Sequence, residues 1–303
     1  MPKKKMMFGA AFALAAAVTS SHAQGPGAQR RVFISADMEG VAGVVTGDQL
    51  GPTGFDYKDG REMMTGEVLA AIAGAREAGA TEIVVADSHG NMQNILIDKL
   101  PADVTLVRGT PRPLSMMDGI DAGFDAVVFV GYHASTTNPE GVRAHTFSSA
   151  TLADVRLNGT SVTEGAWNAA VAGQFGVPVV AVSGDEAAVK EVASLAVGAE
   201  AIPVKWPIGF HAARTLTPEA ARQRIREGVR KGLERRASIK PYVVKVPVRV
   251  ELRFKNYRPA EVLAWLPVVT RVDAHTVRYE ARDMVEATRF VAFVLNYQAS
   301  LEP

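Results

Sequence analysis

There is no cysteine anywhere in the 303 residues. That excludes disulfides, a thiolate nucleophile and any cysteine-ligated zinc. Stability must come from the core, from bound metal or from oligomerisation. Net charge is nearly absent as well: 33 Lys and Arg against 32 Asp and Glu leave a formal +1. That balance gives no electrostatic case for nucleic acid as a partner. The locally basic run Arg222 to Arg236 has helical spacing and reads as a solvated helix face. A Walker loop, an H-E-x-x-H helix and a G-x-S-x-G elbow are all missing.

Long apolar runs are confined to the N-terminus. Lys3-Lys4-Lys5 precede an alanine-rich stretch from Met6 to Val18, and Ser21-His22-Ala23 offers a small-x-small cleavage site. This is the design of a secretory signal peptide, and the run is too short to span a bilayer. The expectation is a signal over residues 1–23, cut after Ala23, then a flexible mature N-terminus over 24–30. The mature protein would be periplasmic or secreted, with no stable membrane association after cleavage.

Beyond residue 30 the chain alternates short apolar strands with helical stretches. Strands are expected at Val32–Ala36, Glu82–Ala86, Val104–Arg108 and Ala126–Val130, with a helix from Arg61 to Ala78 ended by Gly79. Such alternation predicts an α/β fold, a mainly parallel sheet flanked by helices. Asn158-Gly159 between Leu152–Leu157 and Ser161-Val162 is a type I′ hairpin signal. Helices are expected from Thr163 or Glu164 to Gln174, from Asp185 to Leu195, and from Thr217-Pro218 to about Arg235, with a strand from Pro178 to Ser183. Alternating residues from Tyr242 to Phe254, a strand at Thr276–Glu280 and a last helix over Arg282–Ala299 suggest a smaller C-terminal α+β subdomain. The expected division is 31–200 for the α/β catalytic domain and 201–303 for the subdomain packed on it.

Chemistry-bearing residues cluster where strands end. Asp37 and Glu39 follow the first strand, Asp87 and His89 the second, His133 the fourth, and His145 a loop beyond it. In open α/β sheets, ligands bind in the crevice outside the carboxyl ends of the strands. Residues two apart on an extended segment point the same way, so Asp37 and Glu39 would face one point and call for a cation. The plainer alternative is a capping Asp and a solvent-facing Glu. Asp87 could be a ligand or could orient His89. His145 could be a ligand, a general acid–base group or a donor to an oxyanion. Glu164 also suits the first turn of any helix. Ser183-Gly184-Asp185-Glu186 could add an acid or merely cap a helix, His211 is a possible pocket residue, and His275 has the look of turn chemistry. Arg108 and Arg143 would serve a phosphoester hydrolase.

Taken in order, Ser35-Ala36-Asp37-Met38-Glu39-Gly40, Asp87-Ser88-His89, Gly131-Tyr132-His133-Ala134, Ala144-His145-Thr146 and Glu164-Gly165-Ala166-Trp167-Asn168-Ala169 resemble the DppA-like D-aminopeptidases, a family of zinc metallopeptidases. The resemblance runs from Val32 to about Tyr297. It implies two Zn2+ per subunit, with Asp37 bridging them and Glu39, His89, His133 and Glu164 completing the ligands. It implies His145 as the catalytic residue, and a homo-oligomer, archetypally a decamer. The expected reaction is hydrolysis of the N-terminal amide bond of short peptides, D-Ala peptides or amides above all, by metal-activated hydroxide. Manganese or cobalt would suit the same O/N ligands. The archetype is not exported, so the signal peptide moves the substrate pool to the envelope, where D-Ala peptides occur. The alternatives are another binuclear hydrolase or a periplasmic metal- or solute-binding protein.

Overall fold

A computed structural model describes residues 30–297. The expected signal peptide and nearly all of the mature N-terminus lie outside those residues.

The first half builds one side of a parallel sheet: β1 (Arg31–Ala36), α1 (Tyr57–Glu77), β2 (Glu82–Asp87), β3 (Val104–Val107) and β4 (Ala126–Tyr132). A hairpin comes next, β5 (Leu152–Leu157) and β6 (Thr160–Ser161), then α2 (Glu164–Gln174), β7 (Val179–Asp185), α3 (Glu186–Leu195), β8 (Glu200–Gly209) and β9 (Ala212–Thr215). The chain ends with α4 (Pro218–Glu234), β10 (Val248–Phe254), α5 (Tyr257–Leu263), β11 (Val269–Arg271), β12 (Thr276–Ala281) and α6 (Met284–Asn296).

The main sheet has the order β3-β2-β1-β4-β7-β8-β9. Only the β8–β9 pair is antiparallel. The strand order turns back between β1 and β4, so the carboxyl ends of these two strands flank the crevice where such sheets bind ligands. β1 and β4 are buried on both faces, which is why their sequences are apolar without alternation. On one face Val68 and Ile72 of α1 and Ile225 and Val229 of α4 pack with Ile34 and Val128. On the other, Phe33 and Phe129 join Trp167 of α2, Leu152, Leu252 and Phe290 in a second core. Burying each side chain of this size is worth roughly 1.5–3 kcal/mol over leaving it in water. The basic α4 shows a buried apolar stripe and a charged outer face, as its spacing implied.

The second sheet is antiparallel, in the order β11-β12-β10-β5-β6. It takes β5 and β6 from before residue 200, while β8, β9 and α4 beyond it belong with the main sheet. A division at residue 200 therefore does not separate the two sheets. The reason is long-range pairing: β5 finds its partner in β10, which no local pattern announces.

Local expectations mostly hold at the level of elements. Asn158 and Gly159 both have positive φ (51° and 89°), as a type I′ turn requires. Gly79, at φ 85°, follows the end of α1. Asp185 caps α3, its carboxylate accepting the Ala188 N–H. The strand expected from Tyr242 begins only at Val248, for Pro247 supplies no N–H and Val243 and Val246 are exposed. β8 escapes sequence reasoning because Pro203 and Pro207 interrupt its strand signal. Among the described residues no helix is long and apolar enough to cross a membrane.

Candidate metal and catalytic site

Five of the six expected site residues are buried within the crevice, and the sixth, His145, faces it. Asp37 and Glu39 extend β1, His89 follows β2, His133 follows β4, and Glu164 opens α2 behind its cap Thr163. The strand ends can meet because glycine removes a side chain where backbones touch. A Cβ on Gly40 would lie 2.0 Å from the Tyr132 carbonyl oxygen, and one on Gly131 (φ 71°) 2.3 Å from that of Asp37. The contact is sealed by N–H donors of Asp37 to Val130 (2.8 Å) and of Gly40 to Gly131 (2.7 Å). Beneath it, the Tyr132 hydroxyl joins Ser35 (2.7 Å) and receives an Asn168 amide hydrogen (2.9 Å), tying β1, β4 and α2 together.

Each histidine has its outer ring nitrogen engaged by a backbone carbonyl. His89 Nε2–H donates to Leu50 (2.7 Å), His133 Nδ1–H to Ala134 (3.0 Å) and His145 Nδ1–H to Arg143 (2.9 Å). A carbonyl only accepts, so these bonds set the tautomers and turn the other nitrogen inward. There the partners are carboxylates. His89 Nδ1 lies 3.2 Å from Asp37 Oδ1 and 2.8 Å from Glu39 Oε2. His133 Nε2 lies 3.3 Å from Asp37 Oδ2 and 3.4 Å from Glu164 Oε2. Asp37 thus turns one oxygen to each histidine. His145 Nε2 stands 3.7 Å from Glu164 Oε1, and its ring stacks on that of His133 with centroids 4.1 Å apart.

Three atoms in this cluster, Asp37 Oδ2, Glu39 Oε2 and His133 Nε2, are buried with no hydrogen bond. Buried polar atoms are normally satisfied. Here they converge without protons properly aimed between them, the arrangement expected of ligand atoms around a cation. Donor atoms of Asp37, Glu39 and His133 all lie within 4.8 Å of one another, as do those of His133, His145 and Glu164. Position alone therefore admits His145 as a ligand as well as a proton carrier.

The electrostatics make the same demand. Burial, and then the Glu39 charge, push the Asp37 carboxyl up to about 7. Burial acts upward on Glu39 too, but His89 beside it holds that carboxyl well below its usual range. Burial likewise opposes the charging of His89 and His133, yet Glu39 and Glu164 respectively push both well up. Burial and the neighbouring His133 push His145 down, which favours its neutral imidazole. Three buried acids crowd one another here, and the raised Asp37 carboxyl shows that crowding of negative charge. Divalent cations would balance it and release the imidazoles as neutral ligands.

The family model for D-aminopeptidases (Peptidase_M55) matches residues 30–293. The chain belongs to this D-aminopeptidase family. Membership makes it a metallopeptidase. It is 33% identical over 261 residues to the D-aminopeptidase of Bacillus subtilis (strain 168), covering 85% of this chain and 93% of that protein. A solved structure, described as the zinc-dependent D-aminopeptidase DppA of Bacillus subtilis, a self-compartmentalizing protease, superposes with a TM-score of 0.84. That match has 31% identity and covers 89% of this chain and all of the other.

In this metallopeptidase the residues around the site are held as firmly as the site itself. Asp87 does not touch the His89 ring. Its oxygens accept the N–H groups of Asn94 (2.6 Å) and Ile95 (2.7 Å) and the Asn94 side-chain amide (2.8 Å), and that amide also donates to the His89 carbonyl (2.6 Å). Asp87 thereby shapes the loop that carries His89. Lys205 of β8 is a supporting residue that sequence reasoning missed. Its fully buried ammonium donates to the carbonyls of Glu39, Val41 and Val44, holding the loop that follows Asp37. Burial pushes it down to about 8 despite Asp185 and Glu67 nearby. Its one sequence signal is a lysine inside an apolar strand. Lys205→Met is expected to lower the unfolding free energy in urea by about 3–5 kcal/mol, because it strands buried acceptors and acids without their cation. An unchanged denaturation midpoint would refute that role.

The other candidates fall away from the centre. Asp185 caps α3 rather than entering the cleft. His211 sits on the β8–β9 turn against Arg143, and the His275 N–H closes a turn on Asp273 (2.8 Å). Arg108 reaches the Gln93 carbonyl. Asp37, Glu39, His89, His145 and Glu164 open onto a cavity of about 680 Å³ with an apolar wall that includes Phe254, Leu263 and Phe293. A chamber of this size admits a short peptide.

Proposed function

We propose that this chain is an exported zinc aminopeptidase with two metals per subunit, removing the amino-terminal residue from short D-amino-acid peptides, D-alanyl peptides foremost. The observation that carries the reading is Asp37, with one oxygen toward His89 and the other toward His133. Glu39 and His89 would complete one ligand set, His133 and Glu164 the other. Zinc bound there would supply a water of pKa near roughly 7 and charge to stabilise the oxygen that turns negative as the amide is attacked.

The residues of the chain do the rest. Burial of Asp37, Glu39 and Glu164 excludes competing water from the reacting centre. His145, whose Nδ1–H is engaged by the Arg143 carbonyl, has Nε2 free to take a proton and hand it to the departing amine. The apolar wall would seat small side chains. The signal-like residues 1–23 support the compartment, and the likeness to a self-compartmentalizing protease supports assembly into a homo-oligomer.

Metal analysis of the purified protein, joined to a panel of D- and L-alanyl dipeptides, amides and a phosphoester, tests this. The expected outcome is two zinc ions per subunit, cleavage of D-alanyl substrates, and loss of activity on chelation that zinc restores. A zinc-loaded protein that cleaves nothing in the panel would refute it.

A further inference from the structure

Arg143 is a cation that the fold delivers to the active cavity without giving it an acid. Arg143 lines the same cavity as Glu39, His145 and Glu164. Among the described residues it forms no ion pair. A guanidinium carries five N–H donors, yet its one side-chain hydrogen bond runs from Nη1 to His211 Nδ1 at 3.3 Å. Nε is buried with no partner. Elsewhere the group is held by packing: its carbon CZ lies 5.2 Å from the centre of the Phe210 ring, and the Arg143 backbone N–H donates to the Phe210 carbonyl (2.9 Å).

The backbone is costly as well. Arg143 has φ 54°, in the left-handed region that favours glycine. A non-glycine residue there costs on the order of 1 kcal/mol or more and persists only where the surrounding structure enforces it. Two residues on is His145, whose Nδ1–H the Arg143 carbonyl receives. The guanidinium is thus rooted beside the proton carrier, fixed from outside by the β8–β9 turn, with donors left over.

We infer that Arg143 binds the C-terminal carboxylate of the peptide substrate. An extended residue spans about 3.5 Å, so a dipeptide carries its carboxylate one short step beyond the scissile bond. The planar fork of arginine matches the two oxygens of a carboxylate, and such charge-assisted pairs are about twice as strong as neutral hydrogen bonds. Arg143 then sets the preferred length. Di- and tripeptides with a free C-terminus are favoured, and capped or long chains lose the contact. The inference rests on the aminopeptidase reading and names the end of the substrate opposite the amine.

The test compares D-alanyl-D-alanine with D-alanyl-D-alaninamide on zinc-loaded enzyme, in wild type, Arg143→Met and Arg143→Lys. Wild type is expected to favour the free acid in kcat/KM by tenfold or more, since a hydrogen bond to a charged group is worth about 1.5–3 kcal/mol. Arg143→Met, which keeps the Cβ and the local backbone demand, is expected to bring the acid-to-amide ratio close to one, chiefly through KM for the acid. Arg143→Lys keeps the charge but not the fork and should fall between. Should the methionine variant fold poorly, the lysine variant alone decides: a ratio lowered threefold or more supports the inference. An acid-to-amide ratio that neither variant changes overturns it, whatever the absolute rates. Wild type that cleaves both substrates equally well overturns it too, leaving the aminopeptidase reading intact. Cleavage of neither would overturn both.

Discussion

His145→Ala is expected to lower kcat by about 10²–10⁴-fold, the usual worth of a positioned acid–base group, while the zinc content stays at the wild-type value. The pairing of those two results is what matters. His145 and His133 stack ring on ring, and both approach Glu164, so each has ligand geometry. They differ in their surroundings. His133 Nε2 is buried between Asp37 and Glu164 and lacks any hydrogen bond. His145 Nε2 is beside one acid only and its ring opens to the cavity. Burial and His133 lower the proton affinity of His145, which favours the neutral imidazole that can accept a proton. His133→Ala is therefore expected to lose metal together with activity. Metal analysis beside steady-state kinetics on both variants separates the roles. Equal loss of zinc in the two would make His145 a ligand and remove it as the proton carrier.

The second large effect is expected at Asp37. Asp37→Asn keeps the shape but takes away the charge and one of two acceptor oxygens. A residue that completes only one ligand set should, when lost, spare the other. One shared by both should not. Zinc affinity is expected to fall at least a hundredfold at both positions, and activity to background, whereas Glu39→Gln should weaken one zinc and leave the second measurable. Competition titration against a chromophoric chelator, with thermal melting to confirm the fold, distinguishes these cases. Asp37→Asn protein that still retains two zinc ions would exclude a shared carboxylate. The variant need not be unstable: without metal, Asp37 is a buried acid pushed up to about 7, and removing it relieves crowding against Glu39.

Much of this site is legible in the sequence. Asp37, Glu39, His89 and His133 come directly after apolar runs too short for helices, and the runs form β1, β2 and β4. Adjacency to a strand end is a local property, so it survives in the sequence. Gly131 stands beside His133 in the sequence, and the structure shows backbones meeting there. Asp87 is harder. Its partners Asn94 and Ile95 lie seven and eight residues on, in a loop whose path no periodicity specifies. Lys205 is invisible as a supporting residue, since its acceptors lie more than 160 residues away in sequence. In the sequence Arg143 reads as a loop arginine that would serve a phosphoester, and its left-handed backbone and unsatisfied donors are facts of three dimensions.

The sequence alone determined the chemical inventory. It excluded thiols, supplied hard and borderline ligands at strand ends, and through hydrophobic runs without alternation required a buried parallel sheet. It also contained the ordered blocks by which the family is recognised. Tertiary structure alone decided which groups face one another. It routed β5 and β6 into a sheet with β10, carried Lys205 beneath the Glu39 loop, and turned the inner nitrogens of His89 and His133 onto the two oxygens of one aspartate. The physical reason is a difference in range. Propensity and periodicity act over a few residues, whereas a metal site or a buried ammonium is a balance of charges brought together by packing across the whole chain.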